Sequence, residues 1–229
     1  AYAPGAASRW WLHESLSALQ SAMVKLGATL ILRRGDEAET VRSIVQEVGA
    51  RTVFWNRRYS APQVEIDKNL KSELSEGAVP VKTFNASLLR EPWEIETGSG
   101  TPYRVFTPFW KKLKEIGPDR VSPLSAPKKL NSGKAVESED LANWNLRPDN
   151  PNWSKKISVH WRPGEFSAIN SLDSFLKNAL DAYSDGRDRP DKELTSRLSP
   201  HLRFGEISPN QIWQKVQQGM SAGQFSEAA

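Results

Sequence analysis

Three times within the first 84 residues, an apolar stripe at helical spacing closes on a glycine and gives way to a short β-branched or aromatic run. Leu12, Leu16, Leu19, Met23 and Leu26 share one helix face and stop at Gly27. Val41, Ile44, Val45 and Val48 form the second stripe, ended by Gly49, and Ile66, Leu70 and Leu74 the third, ended near Gly77. The runs that follow, "ATLILRR", "RTVFWN" and "VPVKTF", read as strands. Parallel strands need a crossover lying on a sheet face, so this alternation predicts a doubly wound α/β domain. Its expected extent is residues 1–117, closed by a helix carrying Val105, Phe106, Phe109, Trp110 and Leu113. The segment "AYAPGAAS" leads directly into a helix, and neither GxGxxG nor GxxxxGK[ST] occurs, which argues against a free-standing nucleotide-binding module.

Residues 118–164 are expected to form an interdomain connector. "KKLKEIGPDRVSPLSAPKKLNSGK" is basic and proline-rich, and Pro148, Pro151 and Pro163 continue the irregular character. Its lysines could meet phosphates, but a solvated linker is the reading favoured here. Helical spacing returns with Phe166, Ile169, Leu172, Leu176, Ala179, Leu180 and Tyr183 on one face. A polar loop, "YSDGRDRPDKELT", follows, then a last apolar face of Ile212, Trp213 and Val216 before a frayed tail, "QQGMSAGQFSEAA". Residues 165–229 thus read as the start of an all-α domain, too short to bury a full core of their own.

Composition narrows the chemistry. With Cys 0, disulfides, thiolate metal sites and thiol nucleophiles are excluded, and a reducing cytoplasm fits. No apolar run reaches the ~18 residues of a membrane span. A net charge of +4 and a pI near 9.3 favour an anionic partner only weakly. His13, His160 and His201 lack metal-ligand spacing and read as packing or surface residues. No nucleophile elbow or acid–base pair stands out, so catalytic chemistry is expected from a cofactor rather than a side chain.

The segment "ELTSRLSPHLRFGEISPNQIW", residues 193–213, admits two readings. Ser199-Pro200 and Ser208-Pro209 each have the form of a capping hydroxyl before a first-turn proline. They can be plain helix caps. Alternatively, with Thr195, Ser196 and Arg197 adjoining the first of them, hydroxyl donors, a guanidinium and backbone N–H groups converge as a diphosphate would require.

"PYRVFTPFWKKL", "WRPGE" and "TSRLSPHLRFGEISPNQIW", in this order and spacing, resemble the DNA photolyase/cryptochrome family, and "GAASRWWLHESLSAL" and "NRRY" agree with it. The resemblance extends over essentially the whole chain. It implies an α/β antenna domain, a connector and a helical FAD-binding domain. It makes Thr195, Ser196, Arg197, Leu198 and Ser199 candidate FAD contacts along the diphosphate, with Tyr183 near the phosphates and Arg187 a DNA phosphate contact. The implied activity is light-driven splitting of cyclobutane pyrimidine dimers in DNA by electron transfer from reduced FAD. The alternative is a blue-light photoreceptor of cryptochrome type. A second, antenna chromophore, a folate or a deazaflavin, is implied in the α/β domain, with Gly98–Arg104 where its contacts often fall. The family pattern also leads us to expect an internal fragment, lacking the first strand and most of the FAD domain. Such a piece would neither hold FAD tightly nor repair DNA unaided, whereas the full-length protein would be a monomer. Trp10, Trp11 and Trp213 are expected to be packing residues, not members of an electron-transfer chain.

Overall fold

The computed structural model describes residues 4–118 and 123–225, so part of the expected connector and both chain ends lie outside the described residues. The three N-terminal stripes all become helices, α1 (Ala6–Lys25), α2 (Glu37–Val48) and, after strand β1 (Val53–Asn56), α3 (Ala61–Glu76). Strand β2 (Val81–Phe84) then pairs in parallel with β1, Val53 opposite Val81 and Asn56 opposite Phe84. The helix ends follow from backbone sterics. Gly27 and Gly49 adopt left-handed φ of 83° and 63°, the conformation that frees the terminal carbonyls for capping and that glycine alone enters without strain. Gly77 does not; Ala78 takes the left-handed position instead, at φ 60°.

One face of the β1–β2 pair is the core. Leu70 and Leu74 of α3 pack on Val81, joined by Val41 and Val45 of α2 and by Val53 and Trp55. Ile66, expected on this face, is 37% exposed. On the opposite face Phe54 and Phe84 stack with ring centroids 6.3 Å apart and remain largely exposed. In α1 the deepest residues are Trp10, Trp11 and His13, while Leu19 of the expected stripe is exposed. Trp11 meets Trp161 edge-on at 5.8 Å.

The first expected strand, "ATLILRR", is absent among the described residues, because its polar backbone is committed elsewhere. Leu32 N–H donates to Ser138 Oγ, and Glu139 N–H donates back to the Leu32 carbonyl. Glu139 accepts both the Arg34 amide (2.6 Å) and its guanidinium (2.7 Å), and Trp144 Nε1 as well, which holds its carboxyl below the usual range. Leu130 N–H reaches the Leu26 carbonyl, and Lys134 Nζ the Glu47 carbonyl. Residues 130–139, which include the end of the basic stretch read as a solvated linker, are therefore docked along residues 26–34 and at Glu47. It continues through a 3₁₀ turn (Leu141–Trp144) and the short α5 (Ser154–Ile157) to Gly164, where a Cβ would come within 2.9 Å of Ala18 Cβ.

By contact density the chain forms two units. The first comprises the described residues of Ala1–Phe84 and Ala126–Glu165, the second those of Asn85–Ser125 and Phe166–Ala229. The second unit contains α4 (Phe106–Ile116), α6 (Glu165–Asn178, which opens at the boundary), α7 (Tyr183–Gly186), α8 (Ser199–Arg203) and α9 (Pro209–Ser221). Helix α4 was expected to close the α/β domain; here Trp110 packs edge-on against Trp213 of α9 at 6.3 Å, and Asn210 donates to the Leu88 carbonyl. Hydrophobic collapse of α4 onto the helical unit wins because its aromatic stripe finds α9 as a partner. Helix α9 runs to Ser221, further than the frayed tail expected there, and α7 forms inside the expected polar loop.

His13 yields a pH prediction. It is 8% exposed, its Nδ1 has no hydrogen-bond partner, and burial, then the nearby Arg147 cation, lowers its pKa below the ordinary 6.5. A depressed folded-state histidine stabilises fully above 6.5, and that contribution is lost as pH falls through the folded value, because the unfolded chain takes the proton first. Chemical denaturation followed from neutral to acid pH is expected to show this loss, and the His13→Asn variant to show a flatter acid limb.

Candidate functional site

The helical core explains how residues 193–208 are held. Ala168 and Leu172 of α6 pack with Leu198 and Ile207, and Leu176 and Ile212 flank them. Phe166 and Ile169, expected on this inner face, are 78% and 41% exposed, whereas Leu172 and Ala179 of the same expected face are buried and Ala168, not expected there, is buried with them. With Leu198 only 3% exposed, its side chain is an anchor and only its backbone can face a ligand. Thr195, Arg197 and Ser199 lie exposed beside it and Ser196 half-buried, so the odd residues point outward where Leu198 points in. The hydroxyls of Thr195, Ser196 and Ser199 make no hydrogen bond among the described residues. Arg197 takes the left-handed φ of 54° and pairs with Glu193 at 3.0 Å.

The two Ser-Pro steps diverge. Ser208 is a true cap: its Oγ accepts Gln211 N–H at 3.1 Å, and Gln211 Oε1 accepts Ser208 N–H at 2.8 Å. Ser199 is not a cap, since the residue before α8 is Leu198, already helical at φ −83°, ψ −9°, and no side chain caps that helix. Its hydroxyl is thereby left available. Only one of the two steps thus follows the capping pattern.

Tyr183 opens α7 rather than ending α6. Its ring lies edge-on to Phe175 at 5.6 Å, and the Arg187 guanidinium sits 5.9 Å from the ring centroid. The Arg187 side chain is 57% exposed, with Asp188 at 3.6 Å. What brings α7 up to the hydroxyl segment is Gly186. A Cβ there would lie 2.2 Å from Leu194 Cδ1 and 2.8 Å from Leu194 Cβ, and Leu194 directly precedes Thr195. Gly186 escaped sequence reasoning, because nothing in a polar "SDGRD" string marks a close approach. His201 and Glu206, both buried and joined through Nδ1 and Oε2 at 2.5 Å, were not paired either, although their spacing of five residues was readable.

At the carboxyl end of β1 a cavity of about 340 Å³ is lined by Trp55, Asn56, Arg58, Asp67, Thr40 and Leu70, among others. The guanidinium of Arg58 bonds Asp67 and Glu37, which raises its pKa, with Asp67 the stronger cause. Crevices at the carboxyl ends of parallel strands are the usual ligand positions of open α/β sheets. Gly98–Arg104, by contrast, lies in a tight turn in which the hydroxyls of Thr97, Ser99 and Thr101 bond one another. In the helical unit a larger cavity of about 750 Å³, between Asp173, Lys215 and Phe225, includes none of the candidate residues.

The α/β unit thus has a crevice at the carboxyl end of β1, and the helical unit presents three hydroxyls without hydrogen-bond partners among the described residues. The family model described as DNA photolyase matches residues 1–128, and the chain belongs to the DNA photolyase family. It is 46% identical over 210 residues to the deoxyribodipyrimidine photo-lyase of Agrobacterium fabrum, covering 91% of this chain and 44% of that protein. It superposes on a bacterial class III photolyase from Agrobacterium tumefaciens with a TM-score of 0.89 at 45% identity, over 95% of this chain and 45% of that one. Cryptochrome-1 of Arabidopsis thaliana is 35% identical across 94% of this chain and 32% of its own length. The chain therefore spans less than half the length of these relatives. No helix among the described residues is long and apolar enough to cross a membrane.

Proposed function

We propose that the protein carrying this chain is a deoxyribodipyrimidine photolyase, which splits cyclobutane pyrimidine dimers in DNA under light, with FAD as its cofactor. The observation that carries this reading is the set of unpartnered hydroxyls on Thr195, Ser196 and Ser199, fixed by Leu198, in a chain 46% identical to a named photo-lyase. Those residues fit a diphosphate: neutral donors on an anchored backbone, with the Arg197 cation and the Tyr183–Arg187 stack nearby in sequence. When bound, FAD supplies light absorption and a reversible one-electron donation to the lesion. The chain's own part is to hold it. Thr195, Ser196 and Ser199 donate to phosphate oxygens, Leu198 and Arg197 contribute through their backbone and charge, and Tyr183 closes the phosphate end. Arg187 contacts a DNA phosphate, which positions the duplex without reading its sequence. Extruding the dimer from the stack costs less than extruding an intact pair, which favours damaged sites.

An antenna chromophore is assigned to the α/β unit, the Arg58–Asp67 crevice being better suited than the internally satisfied turn at Gly98–Arg104. The absence of cysteine agrees with action in the reducing cytoplasm, and a monomer suffices for the chemistry.

The test is expression of the complete reading frame, followed by illumination with a dimer-containing oligonucleotide under reducing conditions. The visible bands of bound flavin and light-dependent recovery of intact pyrimidines are expected. Flavin binding without repair of any dimer would instead support the photoreceptor reading, which rests on the 35% identity to a cryptochrome.

A further inference from the structure

The segment proposed to bind FAD rests on an element that cannot hold its own shape. Helix α8 has five residues, a single turn, and helices of that length are not stable without tertiary support. That support is a closed loop. Leu202 N–H donates to the Leu198 carbonyl at 2.9 Å and Phe204 N–H to the Pro200 carbonyl at 3.0 Å. The chain then reverses at Gly205, with φ 71°, and Glu206 N–H returns to the His201 carbonyl at 2.9 Å. Inside the loop the Glu206 carboxylate meets His201 Nδ1, both side chains only 3% exposed. Leu198 before the loop and Ile207 after it enter the same core cluster.

The core already holds the two ends of this loop through Leu198 and Ile207. An apolar pair at 201 and 206 would fill the same volume, and a buried polar pair adds little net stability over such a replacement. What it adds is direction. A directional hydrogen bond between imidazole and carboxyl fixes the rotation of α8 about its axis, and that rotation sets where the Ser199 hydroxyl points and how α8 meets the adjoining Thr195–Ser196 segment.

We infer that the buried His201–Glu206 pair is a positioning device for the Thr195–Ser199 segment, setting the geometry in which that segment meets a diphosphate. The inference rests on the proposed FAD function. The pair does not touch the reacting atoms; it acts through α8.

The test uses the full-length protein, with FAD as the titrated probe and thermal unfolding of the apoprotein as a separate readout. Wild type is measured first: if it binds no FAD, the proposed function fails and the inference falls with it. Glu206→Gln preserves an acceptor for the ring and is expected to stay within about twofold of wild-type affinity. The double variant His201→Leu/Glu206→Leu leaves no unpaired buried charge. It is expected to unfold near the wild-type temperature yet bind FAD about tenfold more weakly, the scale of one lost directional hydrogen bond. A folded double variant with wild-type affinity overturns the inference and leaves the FAD reading standing. Where the double variant does not fold, His201→Gln, which keeps a donor toward the carboxylate without the ring's geometry, takes its place. Its expected affinity is about threefold weaker or worse, again as the loss of part of one bond; wild-type affinity there overturns the inference as well.

Discussion

Gly186→Val is expected to abolish retention of FAD by the full-length protein, and Gly186→Ala to lower it by an intermediate amount. A β-carbon at 186 would stand 2.2 Å from Leu194 Cδ1, 2.8 Å from its Cβ and 3.1 Å from its Cγ. The first of these could be relieved by a rotamer change, but the contact with Cβ can be relieved only by moving the Leu194 backbone. Leu194 is the residue before Thr195, so any such shift passes directly into the hydroxyl segment. Forcing one methyl into a packed site costs about 1–3 kcal/mol, and the branched valine costs more. Gly186 has no left-handed backbone to lose, so the effect is steric and should scale with side-chain size. Gel filtration with flavin absorbance read against protein absorbance checks it; an alanine variant that keeps full flavin would refute the close approach.

Leu198→Ala is expected to destabilise by about 2–5 kcal/mol, the range for removing a buried leucine from a core that cannot collapse around the void. Leu198 is 3% exposed and touches the cluster formed by Ala168, Leu172 and Ile207. Urea denaturation should show a lower midpoint with an unchanged slope, since the surface exposed on unfolding hardly differs. The same substitution separates the two roles of this residue. If Leu198 were a side-chain ligand of the cofactor rather than its anchor, flavin affinity would fall without the loss of midpoint.

The regular part of the fold was legible in the sequence. Helices α1 to α3, both strands and the Gly27 and Gly49 caps follow from spacing and from the conformational freedom of glycine, which are local properties. What failed was non-local. "ATLILRR" has strand composition, but the Leu32 N–H and C=O and the Arg34 N–H are taken by Ser138 and Glu139, more than a hundred residues away. The stripe of α4 correctly announced a helix, yet not that Trp110 would find Trp213. In α6 the expected face held at Leu172 but not at Phe166 and Ile169, and the small Ala168 is buried there. The candidate site could be pointed to in the string, where Thr195, Ser196 and Ser199 admitted either caps or an anion site and the family resemblance selected the second. Its supports, Gly186 and the His201–Glu206 pair, were not, because a close approach and a buried hydrogen-bonded pair exist only once the chain has turned back on itself.

The order of the two units along the chain has a consequence for how the protein is made. The first is completed by residues 126–165, and residues 85–125 belong with the helices that come after them. During synthesis, the α/β segment must wait for Glu139 to emerge before Leu32 and Arg34 can be satisfied. The segment holding Trp110 must wait longer still, for α9. Contacts of such separation slow folding and leave apolar surface uncovered in the interval. No single cut in the chain releases either unit whole, so a nascent chain halted midway holds two unfinished cores rather than one finished one.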